Sequence, residues 1–446
     1  MSDEQRTFLF MPESAYGPTN NCIGIGNELL RRGHRVVFAA EASWAGKLEA
    51  LGFEEDLVEL APPAEPATGE AGADGPAAEE PDAGAFWKDY IREISPEFAK
   101  STEAQLETVI RPIWEELIEG AKYSEPALKA IIERTKPDVI VEDNVLLFPA
   151  LATAGVPFVR IVSCNPLEVP GASVAPAFSG LAEDDEEGRA SFRAEYDRTH
   201  RALWSDFDAW VQQNGAAALP ELEFLPAGDL NLYVFPEELD YTDARPLDAS
   251  WHRLDSSVRE TDAPAGIPET FLADAASGAR PLVYFSLGSL GSADVSLMRR
   301  VIGVLAGLPY NVIVSKGPLH EEIELAANMW GAEFLPQTSI IPAVDLVITH
   351  GGNNTVTEAL HFGKPMILLP LFWDQYDNAQ RVHERGLGRR LPTYSFSDEE
   401  LAGALDELLS DTELRARIAA IGEGIRARDG LRRAADLIEA AAEARA

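Results

Sequence analysis

The sequence predicts an α/β protein built from two doubly wound, Rossmann-like domains that face one another across a cleft. Three observations predict it. A chain of 446 residues exceeds what one hydrophobic core organises, because cores stop growing at about 250 to 300 residues and longer chains divide. Apolar runs with the continuous character of strands buried on both faces alternate with longer helical stretches in each half. Between the halves lies a segment rich in Pro, Asp, Ser and Gly with no hydrophobic period. Sheets of this kind bind ligands at the carboxyl ends of their strands, so the site is expected in the groove between the two halves.

The elements follow in order. RTFLFMP, HRVVFAAE, PDVIVED, PFVRIVS and LNLYVFP read as the strands of the first half. The stretch FLFMPESAYGPTNNCIGIGNELLRRGHRVVFAAE, residues 8 to 41, gives a strand, a loop from Pro12 to Asn21, an amphipathic helix and a second strand. GIGNEL inside that helix lacks the third glycine of a dinucleotide fingerprint, and His34 belongs to the Arg-Gly-His turn that closes the helix. Residues 61 to 84, APPAEPATGEAGADGPAAEEPDAG, are acidic, rich in Pro and Gly and almost without large apolar side chains. They cannot bury enough surface to offset their ordering entropy and are expected to be a mobile insertion. PLVYFSLGS, NVIVSKG, DLVITHGG and KPMILLPLF are the strands of the second half, and the last stretch from ELRARIAAIG onward is helical in its Ala, Leu, Glu and Arg content. The boundaries read as an N-terminal domain over 1–255, a linker over 256–279 and a C-terminal domain with C-terminal helices over 280–446.

Composition, 46% hydrophobic and 25% charged, is that of an ordinary globular protein. The 74 Asp and Glu against 37 Lys and Arg give a net charge of −37, which repels nucleic acid and anionic membrane surfaces. No run reaches the roughly 18 apolar residues that span a bilayer. The opening MSDEQRTFLFMPES carries no basic region before a long apolar run, so a cytoplasmic protein with reduced thiols at Cys22 and Cys164, monomeric or homodimeric, is expected.

The segment DLVITHGGNNTVTEAL, residues 345 to 360, carries the chemistry. A buried strand ends at His350. Gly351 and Gly352 then permit a tight turn and a close backbone approach, and Asn353, Asn354 and Thr355 supply cap-type side chains before a helix. A glycine turn entering a helix presents unpaired N–H groups and the positive end of the helix dipole, which together bind an anion.

The longer segment FLPQTSIIPAVDLVITHGGNNTVTEALHFGKPMILLPLFWDQYDNA, residues 334 to 379, resembles the nucleotide-sugar signature of the GT-B glycosyltransferases that include the macrolide and plant natural-product glucosyltransferases. An aromatic-x-Pro-Gln opening, a Thr-His-Gly-Gly turn, a Glu on the following helix and an Asp-Gln pair after a Pro-rich strand occur in the order of that family. The resemblance implies that Phe334 stacks on the base, where the family usually has Trp, and that Gln337 contacts the ribose. It implies that His350, Gly351, Gly352, Asn354 and Thr355 hold the diphosphate, that Glu358 accepts the ribose hydroxyls, and that Asp374 and Gln375 read the sugar. Gly288 and Ser289, in the LGSLGS turn, match a second diphosphate loop.

On the acceptor side the resemblance places a base histidine at a position occupied here by Pro18, and the loop contains no histidine. The carboxylate that would orient it corresponds to Asp143. Three explanations stay open: another loop residue, best Glu13, serves as base because a carboxylate in a closed cleft has its pKa raised; the acceptor is acidic or Asp143 reaches it; or nucleotide sugar is bound without transfer. Tyr16 and Thr19 can position a hydroxyl. Phe86 and Trp87, with Tyr90, suggest an aromatic or apolar guest, and core packing explains them equally well. The expected function is metal-independent, inverting transfer of a hexose from a UDP-type donor to a small acceptor, with no cofactor. A nucleotide-sugar epimerase and a non-catalytic binding protein are the alternatives.

Overall fold

The structure is a computed structural model that describes residues 5–62, 93–259 and 264–444. Phe86, Trp87 and Tyr90, and the expected insertion beyond residue 62, lie outside the described residues. The first half forms a parallel seven-stranded sheet from β1 (Thr7–Pro12), β2 (Arg35–Phe38), β3 (Glu54–Glu55), β4 (Val139–Asp143), β5 (Phe158–Val162), β6 (Leu230–Tyr233) and β7 (Trp251–Arg253), in the order β3-β2-β1-β4-β5-β6-β7. The second half forms a parallel six-stranded sheet from β8 (Leu282–Ser286), β9 (Asn311–Ser315), β10 (Met329–Ala332), β11 (Leu346–Thr349), β12 (Met366–Leu368) and β13 (Gly388–Arg390), in the order β10-β9-β8-β11-β12-β13. In both sheets the strand order reverses beside the first strand, which opens a crevice at the carboxyl ends of the neighbouring strands.

Each sheet is covered on both faces, as continuous apolar strands require. Phe8, Phe10, Val36, Phe38, Val139 and Val141 share one buried cluster with Ile25 and Leu29 of helix Tyr16–Arg31, while Leu9, Met11 and Ile140 belong to another with Leu128 of helix Arg111–Thr135 and Phe207 of helix Glu186–Gln213. In the second sheet Val283, Phe285 and Ile348 cluster with Met298 and Val301, and Tyr284, Val347 and Leu368 cluster with Val356 and Leu360.

The last helix, Gly430–Glu443, does not stay with the second half. Ala434, Ala435 and Ile438 join the core under Phe8 and Phe10. Residues 280–446, read from the sequence as one domain, are therefore divided in space. Close contact explains it: a Cβ on Gly24 would lie 3.0 Å from Leu431 and 3.2 Å from the Ser257 carbonyl, so the glycines of GIGNEL serve helix packing. Arg32 donates to Asp436 and Glu439 at 2.7 Å each, and His34 Nε2 lies 2.8 Å from Glu439. The segment read as a linker contains helix Glu269–Ser277.

Buried polar groups join the halves. The Asn353 amide, 5% exposed, donates to the Ser163 carbonyl at 2.8 Å and the Val234 carbonyl at 2.9 Å. The Asn165 amide donates to Asn378 Oδ1 at 2.9 Å. Replacing Asn353 by Ala leaves two buried carbonyls without that donor, and a loss of about 1–3 kcal/mol is expected. Urea denaturation checks this, the expected result being a lower midpoint with an unchanged slope.

Candidate functional site

β11 ends at Thr349, and the chain turns through His350, Gly351 and Gly352 into helix Asn353–His361. Gly351 has φ +89°, a conformation that a side chain would strain. A Cβ on Gly352 would lie 2.5 Å from His350 Nε2, and one on Gly288 would lie 2.7 Å from His350 Cε1. The imidazole is thus held between two glycines from two separate loops, an arrangement that no larger residue permits. Thr349 Oγ1 accepts the Gly351 N–H at 3.2 Å and lies 3.3 Å from His350 Nδ1. The Thr349 hydroxyl can donate its proton to Nδ1, and in that tautomer Nε2 carries the N–H.

Burial lowers the His350 pKa to about 4, so near neutral pH the ring is an uncharged hydrogen-bond donor. In an NMR titration the His350 resonance is expected to move near pH 4 and to stay still across the ordinary histidine range, with His350→Ala removing it. Movement near 6.5 contradicts this.

Helix Asn353–His361 begins with Gly352 as N-cap, without a side-chain cap and without an acidic residue in its first turn. The asparagines expected to cap it do not. They are the first two helical residues, and both face the other half: Asn354 Nδ2 donates to the Gly17 carbonyl at 3.0 Å, and its Oδ1 accepts from Asn21 at 3.0 Å. The first-turn N–H groups, which no helix can satisfy internally, thus have no side-chain acceptor at the positive end of the dipole.

One turn further along, Thr355 and Glu358 share a face at the i, i+3 spacing. Gln337 Nε2 donates to Thr355 Oγ1 at 3.1 Å and to Glu358 Oε2 at 2.5 Å, and Gln337 Oε1 accepts from Tyr284 at 3.3 Å. Arg259 reaches Glu358 Oε1 at 3.4 Å. Phe334 stands three residues before Gln337, 51% exposed, with Tyr16 of the first half as a neighbouring ring at 6.4 Å between centroids.

Asp374 is the N-cap residue of helix Gln375–Glu384. It accepts the Asn165 N–H at 2.8 Å and Asn378 Nδ2 at 3.2 Å, and burial raises its pKa to about 7. Gln375 Oε1 accepts the Leu371 N–H at 3.0 Å, and the Gln375 carbonyl lies 3.0 Å from where a Gly351 Cβ would be. Gly288 has φ +74°, and Ser289 follows it in the short helix Gly288–Gly291. Between Leu371 and Asp374, Trp373 takes φ +58°, a strained backbone for a bulky residue. It lies 4.4 Å from Phe178 and 5.4 Å from Trp114 between ring centroids.

The loop opposite is shorter than the sequence suggested, because helix Tyr16–Arg31 begins inside it. Pro18 therefore sits in a first helical turn, where its missing N–H costs nothing. Thr19, 0% exposed, donates to the Glu13 carbonyl at 3.0 Å and ties the loop down. Glu13 follows β1, and its backbone N–H donates to the Asp143 carbonyl at 2.8 Å. Its carboxylate accepts from the Ala15 N–H at 2.9 Å and Ser14 Oγ at 3.0 Å, while burial outweighs these bonds and raises its pKa. Asp143 is 1% exposed, accepts from Ser163 Oγ at 2.7 Å and has Cys22 Sγ at 3.9 Å, and burial pushes its pKa well up.

Among the described residues, no group of three or more His, Cys, Asp and Glu is arranged to hold a metal ion, and no helix is long and apolar enough to cross a membrane. Residues that sequence reasoning missed are Asn165, Arg259, Trp373 and Asn378. Only Asn378 carried a local signal, being four residues after Asp374 on one helix.

A family model described as "UDP-glucoronosyl and UDP-glucosyl transferase" matches residues 263–423, a span that contains the whole glycine turn and its helix. The oleandomycin glycosyltransferase of Streptomyces antibioticus is 26% identical over 97% of this chain and 90% of its own length. Over that span the chain is similar to the UDP-glycosyltransferases. The crystal structure of the glycosyltransferase of kitacinnamycin shares the fold of this chain at a TM-score of 0.71 and 22% identity, covering 98% of this chain and 99% of that one. The glycosyltransferase VinC in complex with DTDP does so at 0.64 and 19%, covering 98% and 99%.

Proposed function

We propose that this protein moves a hexose from a UDP-type nucleotide sugar to a small acceptor bound against the first half, by a single displacement with inversion and without a resident metal. The observation that carries this reading is the His350 ring fixed between Gly288 and Gly352 at the start of an uncapped helix. A diphosphate at that turn receives backbone N–H groups, the helix dipole and the His350 Nε2–H, which together stabilise charge as it develops on the leaving group. Gln337, Thr355 and Glu358 then meet the ribose hydroxyls, and Asp374 and Gln375 meet the sugar.

Glu13 acts as base. It takes the proton of the acceptor hydroxyl as that oxygen bonds to the anomeric carbon and the bond from that carbon to the diphosphate breaks. Glu13 is the more accessible of the two carboxylates, whereas Asp143 is buried, and the backbone bond between the two residues fixes the start of the loop. The DTDP held by VinC supports a nucleoside diphosphate and leaves uracil and thymine to be compared. Incubation with UDP- and TDP-hexoses and a panel of flat hydroxylated acceptors tests the proposal. Nucleoside diphosphate release that requires an acceptor is expected, and its absence with every pair contradicts the reading.

A further inference from the structure

We propose that the nucleobase of the donor is held between two aromatic rings, one from each half of the molecule: Phe334 below it and Tyr16 above it. The inference rests on the donor site proposed above and adds to it a residue that the sequence placed on the acceptor side. Among the exposed large apolar side chains of the described residues, Phe334 at 51% and Tyr16 at 49% are the most exposed, and they come from opposite sides of the cleft. Their ring centroids are 6.4 Å apart with planes inclined at 35°. A flat ring inserted between two others needs each pair at ordinary stacking separation, and offset stacks have centroids about 4.5 to 7 Å apart. Two successive stacks put the outer centroids about 9 Å apart or more, so the two rings, which touch each other at 6.4 Å, must part by about 3 Å and level their tilt to admit one base.

The position of Tyr16 is built rather than incidental. Its ring meets the edge of Trp44 at 5.4 Å and 62°, and Trp44 is itself buried, its indole N–H donating to the Ser14 carbonyl at 3.1 Å. On the next residue, the Gly17 carbonyl accepts from Asn354, the second residue of the helix that begins at the glycine turn. The loop bearing Tyr16 is therefore tied to the helix start proposed to hold the diphosphate. Phe334 lies three residues before Gln337, whose amide meets Thr355 and Glu358. Base, ribose and diphosphate contacts thus follow one another along a single path, and Tyr16 lies at its base end. A base held by two faces is recognised chiefly by its π surface, so uracil and thymine are expected to bind alike.

The test compares wild type, Tyr16→Ala, Tyr16→Phe and Phe334→Ala by titration with UDP and, as a probe without a base, inorganic pyrophosphate. Loss of one stacking face is expected to weaken UDP about tenfold in each Ala variant, with pyrophosphate unchanged and Tyr16→Phe close to wild type. In turnover, Tyr16→Ala is expected to raise the donor KM and leave the acceptor KM in place. If wild type binds UDP and Tyr16→Ala binds it equally well, the clamp is overturned and the donor site stands. Equal loss of UDP and pyrophosphate in Tyr16→Ala also overturns the clamp, because it shows a collapse of the loop. If wild type binds neither ligand, the donor site fails and the clamp with it.

Discussion

Glu13→Gln is expected to lower kcat by about 10²- to 10⁴-fold, the usual worth of a positioned general base, while donor affinity stays within about twofold because the carboxylate belongs to the first half and bonds only its own loop there, at Ser14 and Ala15, among the described residues. Gln keeps the shape and an oxygen that can accept the Ala15 N–H and Ser14 hydroxyl bonds, so the loop should hold its course. The pH profile separates this role from a structural one. Burial raises the Glu13 pKa, and a base works only when ionised, so kcat should climb with rising pH through that raised value and then level off. The climb should be absent in Glu13→Gln. An unchanged kcat and profile would show that another group takes the proton. Asp143→Asn is expected to cost less, since Asp143 meets Glu13 through its backbone carbonyl, which the substitution keeps, while its carboxylate bonds Ser163 and has Cys22 beside it.

The second large effect concerns the glycine slot. In Gly352→Ala the backbone itself is unstrained, because φ is −58° there. The new Cβ would nevertheless lie 2.5 Å from His350 Nε2, and Gly288 on the other side leaves the ring little room to retreat. A fall in kcat/KM of about 10²- to 10³-fold is expected, comparable with His350→Ala, as for loss of one oxyanion donor. The double variant His350→Ala/Gly352→Ala should be no worse than His350→Ala alone, because the clash disappears with the ring. Such a cycle is strongly non-additive. Additive losses would mean that Gly352 serves the site by something other than sparing room for His350.

Much of this architecture is legible in the residues, and the parts that are not share a physical cause. The strands buried on both faces, such as VVF, VIVED, LVYFS and LVIT, announce themselves because burial removes their polar alternation. The four strands that went unrecognised, β3, β7, β10 and β13, are the edges of the two sheets. They are short and only partly buried, so they carry no such run. The glycine turn was legible because close approach to a histidine demands glycine locally. The fate of Asn353 and Asn354 was not: as residue types they read as caps, and only the presence of Ser163, Val234, Gly17 and Asn21 across the cleft shows why they bridge. The position of helix Gly430–Glu443 on the first half was hidden for the same reason. Its small apolar face does not name its partner, and the groups that receive it, Gly24, Arg32 and His34, lie some 400 residues earlier in the sequence.

The central claim, that a diphosphate sits at the turn from His350 into helix Asn353–His361, is tested most directly by backbone amide spectra recorded while UDP is added. The account predicts the largest shifts at Gly351, Gly352, Asn353, Asn354, Thr355 and Gly288, saturating together at one stoichiometric site. Saturable binding that leaves those amides unmoved, or no binding at all, would contradict it.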